Sequence, residues 1–146
     1  MKTWIAAAAL AVLGTGAWAD MVVKDASGTI TETMDRLEEA VTGAGATVFA
    51  RVDHAAGAAS VDMELADAQL LIFGNPMLGT PVMQQDIRAG LVLPLHVLVY
   101  DEGGATRITY EDVAGMMDGL DVDLEADVFT RIGGALENLT NQAAGL

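Results

Sequence analysis

Two apolar runs on either side of a proline-bearing bend constrain this chain more than any other feature. Leu70–Phe73 and Leu95–Asp101 read as strands, and the segment Leu70–Tyr100 holds all three prolines and one of the two histidines. Gly74-Asn75-Pro76 closes the first strand, and Thr80-Pro81 has the form of a helix N-cap followed by proline at the first helical position, opening a short helix to Arg88. The second run is apolar at successive positions, which predicts burial on both faces. Pro94 cannot donate to a ladder and belongs at the strand's first residue or on an unpaired edge. Glu102-Gly103-Gly104 then forms a tight turn into a strand over Thr106–Tyr110. Strands joined by so short a turn must run antiparallel, which excludes a doubly wound parallel sheet.

The flanking segments complete the pattern. Met21-Val22-Val23 reads as a first strand and Asp25–Gly28 as a turn. Thr29 and Glu32 have capping-box spacing ahead of Ile30, Met34, Leu37 and Val41, which recur at helical intervals until Gly43 and Gly45. Thr47–His54 reads as a strand with Val48, Ala50, Val52 and His54 on one face and Thr47, Phe49, Arg51 and Asp53 on the other. Asp53 is placed to cap a short helical turn in the small-residue stretch Ala55–Ser60. Val61–Ala66 has no clear period. Leu124, Val128, Ile132, Leu136 and Leu139 form one stripe of a closing helix, weakened in its middle by Gly133-Gly134.

The order of elements predicts an α+β domain in two layers, an antiparallel sheet with helices packed on one face. The other face then needs cover or solvent. Phe49, Phe73, Leu98 and Tyr100 are its candidate residues, and their clustering would make it a homodimer interface or a ligand surface.

The first nineteen residues read as a secretory signal. Met1-Lys2 is a short positive start, Ile5–Leu13 an apolar run, and Ala17-Trp18-Ala19 a small-x-small cleavage site. The run is too short and alanine-rich for a membrane span. The expected domain is therefore 20–146, periplasmic or secreted. The chain has no cysteine, which excludes a lipid-modified cysteine anchor, disulfides, a thiolate nucleophile and cysteine-ligated metals. The formal net charge is −14; losing the leader removes Lys2 and none of the 21 acids, giving −15. Such a surface repels nucleic acid and anionic membrane.

Few residues carry chemistry. Phe73–Pro81, FGNPMLGTP, lacks the Gly-Lys-Ser/Thr ending of a phosphate loop, and its glycines and prolines account for themselves as a strand exit. Asn75 can close an Asx turn or face a ligand. Asp53-His54 is the one compact acid–base pair, but neighbours on a strand point to opposite faces, so Asp53 is poorly placed to orient that imidazole. His96 shares a strand face with Leu98 and Tyr100. No ligand spacing joins the two histidines to Asp53, Asp62 or Glu64 as a metal site. Asp118–Asp127 resembles a calcium loop, yet its sixth position is Asp123 and its twelfth is Phe129, so a solvated acidic turn is the better reading. Asn138-Leu139-Thr140 matches a glycosylation acceptor but falls within a helix. Ser27 and Ser60 lie outside any nucleophile elbow.

Taken in order, FARVDHAAGA, LLIFGNP-x-x-GTPVMQ, LPLHVLVYDE and ITYED resemble the family called domain of unknown function 302, over about Thr29–Asp112. The resemblance implies a small α+β domain with an antiparallel sheet, homodimeric in some members. It places Asp53-His54, Phe73–Pro76, Gly79–Pro81 and Pro94 within the family pattern. It also marks two departures: His96 stands where Lys or Arg is expected, and Glu111 where Asn follows the tyrosine. The expected function is that of an exported binding or stress-related module without established catalysis. The ligand-binding candidates are Asp53, His54, Asn75, Thr80 and His96, with a cleft expected near the Asn75–Pro81 turn and His54. A hydrolase or isomerase using His54 or His96 as base, and a protein-assembly factor, are the alternatives. The residues name no cofactor; a small molecule or a protein is the expected partner beside a second copy.

Overall fold

The structure, a computed structural model, describes residues 21–146; the expected secretory leader, 1–19, lies outside the described residues. Five strands, β1 (Met21–Asp25), β2 (Thr47–Asp53), β3 (Ala68–Gly74), β4 (Leu95–Glu102) and β5 (Ala105–Glu111), form one sheet in the order β1-β5-β4-β3-β2. Every neighbouring pair is antiparallel. Two long helices, α1 (Ile30–Gly43) and α5 (Asp127–Ala144), lie against each other and across the same face of the sheet. This is the two-layer α+β architecture predicted from element order.

Helix α1 forms where its signals place it. The Thr29 hydroxyl accepts from the Glu32 amide, and the Glu32 carboxylate accepts from the Thr29 amide at 2.8 Å. Its apolar stripe, Met34, Leu37 and Val41, is wholly buried. These side chains meet Leu71, Phe73, Val97, Val99 and Ile108 from the sheet and Ile132, Leu136 and Leu139 from α5. Gly133-Gly134 does not interrupt α5, whose stripe of buried residues begins at Phe129; Leu124 lies before the helix and is exposed.

The bend differs from its expected form. Helix α3 spans Pro76–Gln85, so Asn75 is the N-cap and Pro76 the first helical residue. Asn75 Oδ1 accepts from the Met77 amide at 2.9 Å, and Pro81 lies inside the helix rather than at its start. An Asn-Pro pair offers the same cap-and-proline chemistry as Thr-Pro, and the earlier pair wins because β3 ends there. A 3-10 turn, Ile87–Leu91, then leads to Pro94 and the central strand β4.

Three further readings are corrected. A bulge between Val48 and Ala50 breaks the alternation of β2. Val48 pairs with Phe73 on the helix side, whereas Ala50 and Val52 pair with Ile72 and Leu70 on the other. His54 belongs to α2 (His54–Ala59), capped by Asp53, whose carboxylate accepts from the Ala56 amide at 2.9 Å. Phe73 lies in the core at 1% exposure, not on the uncovered face. A short helix α4 (Val113–Met116) follows β5 and had no periodic signal.

Candidate functional site

The face of the sheet turned away from α1 and α5 is built by register. Val23 pairs with Thr109, Thr109 with Leu98, Leu98 with Leu70, and Leu70 with Val52, so one row without a charge crosses all five strands. Beside it runs a second row containing Met21, Glu111, His96, Ile72 and Ala50. Beyond the first row, Asp25, Arg107 and Tyr100 stand together, and the Arg107 guanidinium is paired with Asp25 and Glu102. Burial and the nearby Glu102 carboxylate push the Tyr100 phenol upward. The apolar residues of β4 are thus buried only on the helix side; Leu98 and Tyr100 are half-exposed.

A depression of about 490 Å³ in this face is lined by His54, His96, Leu70, Leu98 and Leu91. The two imidazoles therefore share a surface, reached from the end of β2 and from the start of β4. Among the described residues neither ring is hydrogen-bonded, and neither lies within 4.0 Å of a carboxylate. No group of three or more His, Asp or Glu side chains is gathered to hold a metal ion among the described residues.

Asn75 and Thr80 lie elsewhere. Thr47 pairs with Gly74 and Asp53 with Gln69, so the bend and His54 stand at opposite ends of the β2–β3 pair, roughly 17 Å apart along the strand. The single cleft expected to join the Asn75–Pro81 turn with His54 is resolved into two places, with Asp53 occupied as a helix cap. Around the bend, α3 arches over the ends of β3 and β4 to leave a cavity of about 300 Å³. Asn75 and Thr80 stand at it, with walls from Phe49, Met83, Leu93 and Pro94. The density of glycine and proline in residues 74–94 signalled this shape; the wall residue Phe49 could not be foreseen because its position depends on the bulge in β2.

Comparison with known proteins agrees with this architecture. A crystal structure described as an uncharacterized conserved protein DUF302 from Bacillus stearothermophilus superposes with a TM-score of 0.73 at 23% identity, covering 84% of this chain and 97% of that one. At that identity the likeness is one of fold. Curated relatives from Brucella suis biovar 1 (strain 1330) and Brucella melitensis biotype 1 (strain ATCC 23456 / CCUG 17765 / NCTC 10094 / 16M), named fluoride-specific ion channels FluC 1 and FluC 2, are each 35% identical over 109 residues. The match takes in 74% of this chain but only 43% and 40% of those relatives, so the chain spans less than half their length. No helix among the described residues is long and apolar enough to cross a membrane. Residues 22–139 match the family described as Domain of unknown function DUF302, and the chain belongs to that family.

Proposed function

We propose that this protein is an exported, non-catalytic binding module that acts as a homodimer through its open sheet face. The observation that carries the reading is the uncharged row Val23–Thr109–Leu98–Leu70–Val52 on a molecule of net charge −14. Two copies of so acidic a chain repel each other except where their charges are absent. Five strands and three rows of side chains give this face roughly 500 Å²; the uncharged row is its middle third, flanked by Glu111 and His96 on one side and by the Asp25–Arg107–Glu102 pairs on the other. Leu91, 86% exposed at its rim, extends it towards the ~800 Å² per partner of a standard interface. The recurrence of this segment inside longer relatives supports a part that works by attachment, whether to a copy of itself or to another protein. Residues 1–19 support export.

Light scattering on the eluting protein tests the reading: wild type runs as a dimer, and Leu98→Arg as a folded monomer. A monomeric wild type at millimolar concentration would overturn it. The catalytic alternative draws on the depression shared by His54 and His96. It is weakened because neither ring is hydrogen-bonded among the described residues: Glu111 lines the same depression as His96 but lies beyond 4.0 Å of it. An assembly role would instead show as a different protein retained on the same face, lost in Leu98→Arg.

A further inference from the structure

The cavity beneath α3 is separate from the open face and has its own chemistry. It measures about 300 Å³, at the small end of the range for ligand sites. None of its lining side chains is ionisable, on a chain with 21 acidic and seven basic residues. Its floor is Ile132 of α5, 1% exposed, and its mouth carries Phe49, 58% exposed.

Three glycines shape the walls. A Cβ at Gly74 would touch the Phe49 ring at 3.4 Å and Pro94 at 3.5 Å; one at Gly90 would meet Met83 Sδ at 3.6 Å; one at Gly79 would meet only Leu93, at 3.7 Å. A longer side chain at Gly79 therefore grows into the cavity while relieving a helix of a glycine. Two polar groups stand at the opening. Asn75 spends its Oδ1 on the Met77 amide, and among the described residues its Nδ2 group donates to nothing. The Thr80 hydroxyl is the other.

We infer that this cavity binds an uncharged, flat apolar molecule of about a dozen heavy atoms carrying one hydrogen-bond acceptor, which the Asn75 Nδ2 group engages. An anion would meet no cation inside and a strongly negative molecule outside. A cation would find no carboxylate in the lining. The apolar body lies against Met83, Leu93 and Ile132, and the acceptor stays near the mouth, where Asn75 stands. This inference does not depend on dimerisation.

Titration calorimetry with the full chain and four naphthalene probes tests it. The neutral ketone 2-acetylnaphthalene is expected to bind with a dissociation constant on the order of 10–100 µM, within reach of a ligand that size. Naphthalene should bind roughly tenfold more weakly, the loss of one hydrogen bond. The 2-naphthoate anion and the 2-naphthylmethylammonium cation should show no binding. Gly79→Leu, which fills the space without breaking the helix, should abolish binding of the ketone at a Tm no lower than that of wild type. Asn75→Asp keeps the cap oxygen but removes the donor, so it should weaken the ketone about tenfold and leave naphthalene unaffected. Full affinity in Gly79→Leu, equal binding of naphthoate, or no heat from the ketone at its solubility limit would each overturn the assignment. None of these outcomes bears on the dimer, whose test is the mass of the unliganded protein.

Discussion

Arg88 grips Asp86 from two residues away: its Nε donates to both carboxylate oxygens, at 3.0 and 3.1 Å, and its terminal nitrogen to Oδ2 at 2.6 Å. The Arg88 and Asp121 amides donate to the same carboxylate at 2.9 Å, so one nearly buried side chain ties the 3-10 turn to the acidic loop before α5. Those donors hold the Asp86 carboxyl far below the usual carboxylate range. A carboxyl depressed in the folded state contributes stability that is complete above its unfolded value, near 3.9, and is lost as pH falls below it. Acid denaturation should accordingly steepen below about pH 4. In Asp86→Asn the Tm should be lower by several degrees at pH 7, and the deficit should be clearly smaller at pH 2 without vanishing, because the folded carboxyl is still partly ionised there. Scanning calorimetry at the two pH values measures this; an equal deficit at both would mean the carboxylate's charge is irrelevant.

The capping box at α1 predicts a loss that is local in cause and global in effect. Thr29→Ala removes the hydroxyl that satisfies the Glu32 amide and should cost about 1 kcal/mol. Hydrogen bonds from Thr29 keep the Glu32 carboxyl below its ordinary value, so the same substitution should raise it toward that of a free glutamate. Urea unfolding gives the first quantity and carboxyl NMR titration the second.

Neighbouring leucines on β3 should behave oppositely. Leu71 is fully buried under α1 and pairs with Val97; Leu70 pairs with Leu98 on the open face and is half-exposed. Leu71→Ala should cost about 2–5 kcal/mol, the range for a buried leucine whose cavity cannot collapse. Leu70→Ala should cost less than half as much in the monomer and act mainly on association. Denaturation curves at low protein concentration separate the two, and similar penalties would contradict the two-layer arrangement.

What the sequence discloses and what it conceals divide on physical grounds. Helix α1 was legible from end to end because Thr29, Glu32, the apolar stripe and Gly45, at φ +75°, all favour the same boundaries. The β4–β5 hairpin was equally legible, since Gly103 and Gly104 at φ +63° and +92° are the residues such a turn demands. The start of helix α3 is not legible, because two cap-proline pairs, Asn75-Pro76 and Thr80-Pro81, compete, and only the end of β3 decides between them. The face of Val48 is hidden from the sequence because a one-residue bulge leaves no mark on an alternating pattern. Grouping His54 with Asn75 failed for a similar reason: local pattern does not say that a strand stands between them. The side of Phe73 follows only from strand register: its pairing with Leu95 puts it with the core rather than on the open face.

The edge strand β1 is fastened to α5 by one amine, and its pH response should run against intuition. Lys24 Nζ donates to Thr140 Oγ1 at 2.8 Å, Asn141 Oδ1 at 2.6 Å and the Glu137 carbonyl at 3.3 Å, and it stands 5.7 Å from the centre of the Tyr110 ring. Burial nevertheless outweighs the attraction of Glu137 and lowers its pKa. Lys24→Met keeps the stem and drops the donors, so it should cost about 1 kcal/mol near neutral pH after allowance for partial exposure. For a lysine whose folded value is depressed, the unfolded chain holds more protons, and stability rises with pH until the unfolded value near 10.4 is passed. The penalty of Lys24→Met should therefore grow between pH 8 and 10. Burial raises the Tyr110 phenol, which makes the opposite contribution, but only above its unfolded value near 10. Denaturant unfolding of both proteins at pH 7, 8, 9 and 10 measures the trend. A penalty that shrinks over this range would mean that the three hydrogen bonds, not desolvation, govern the amine.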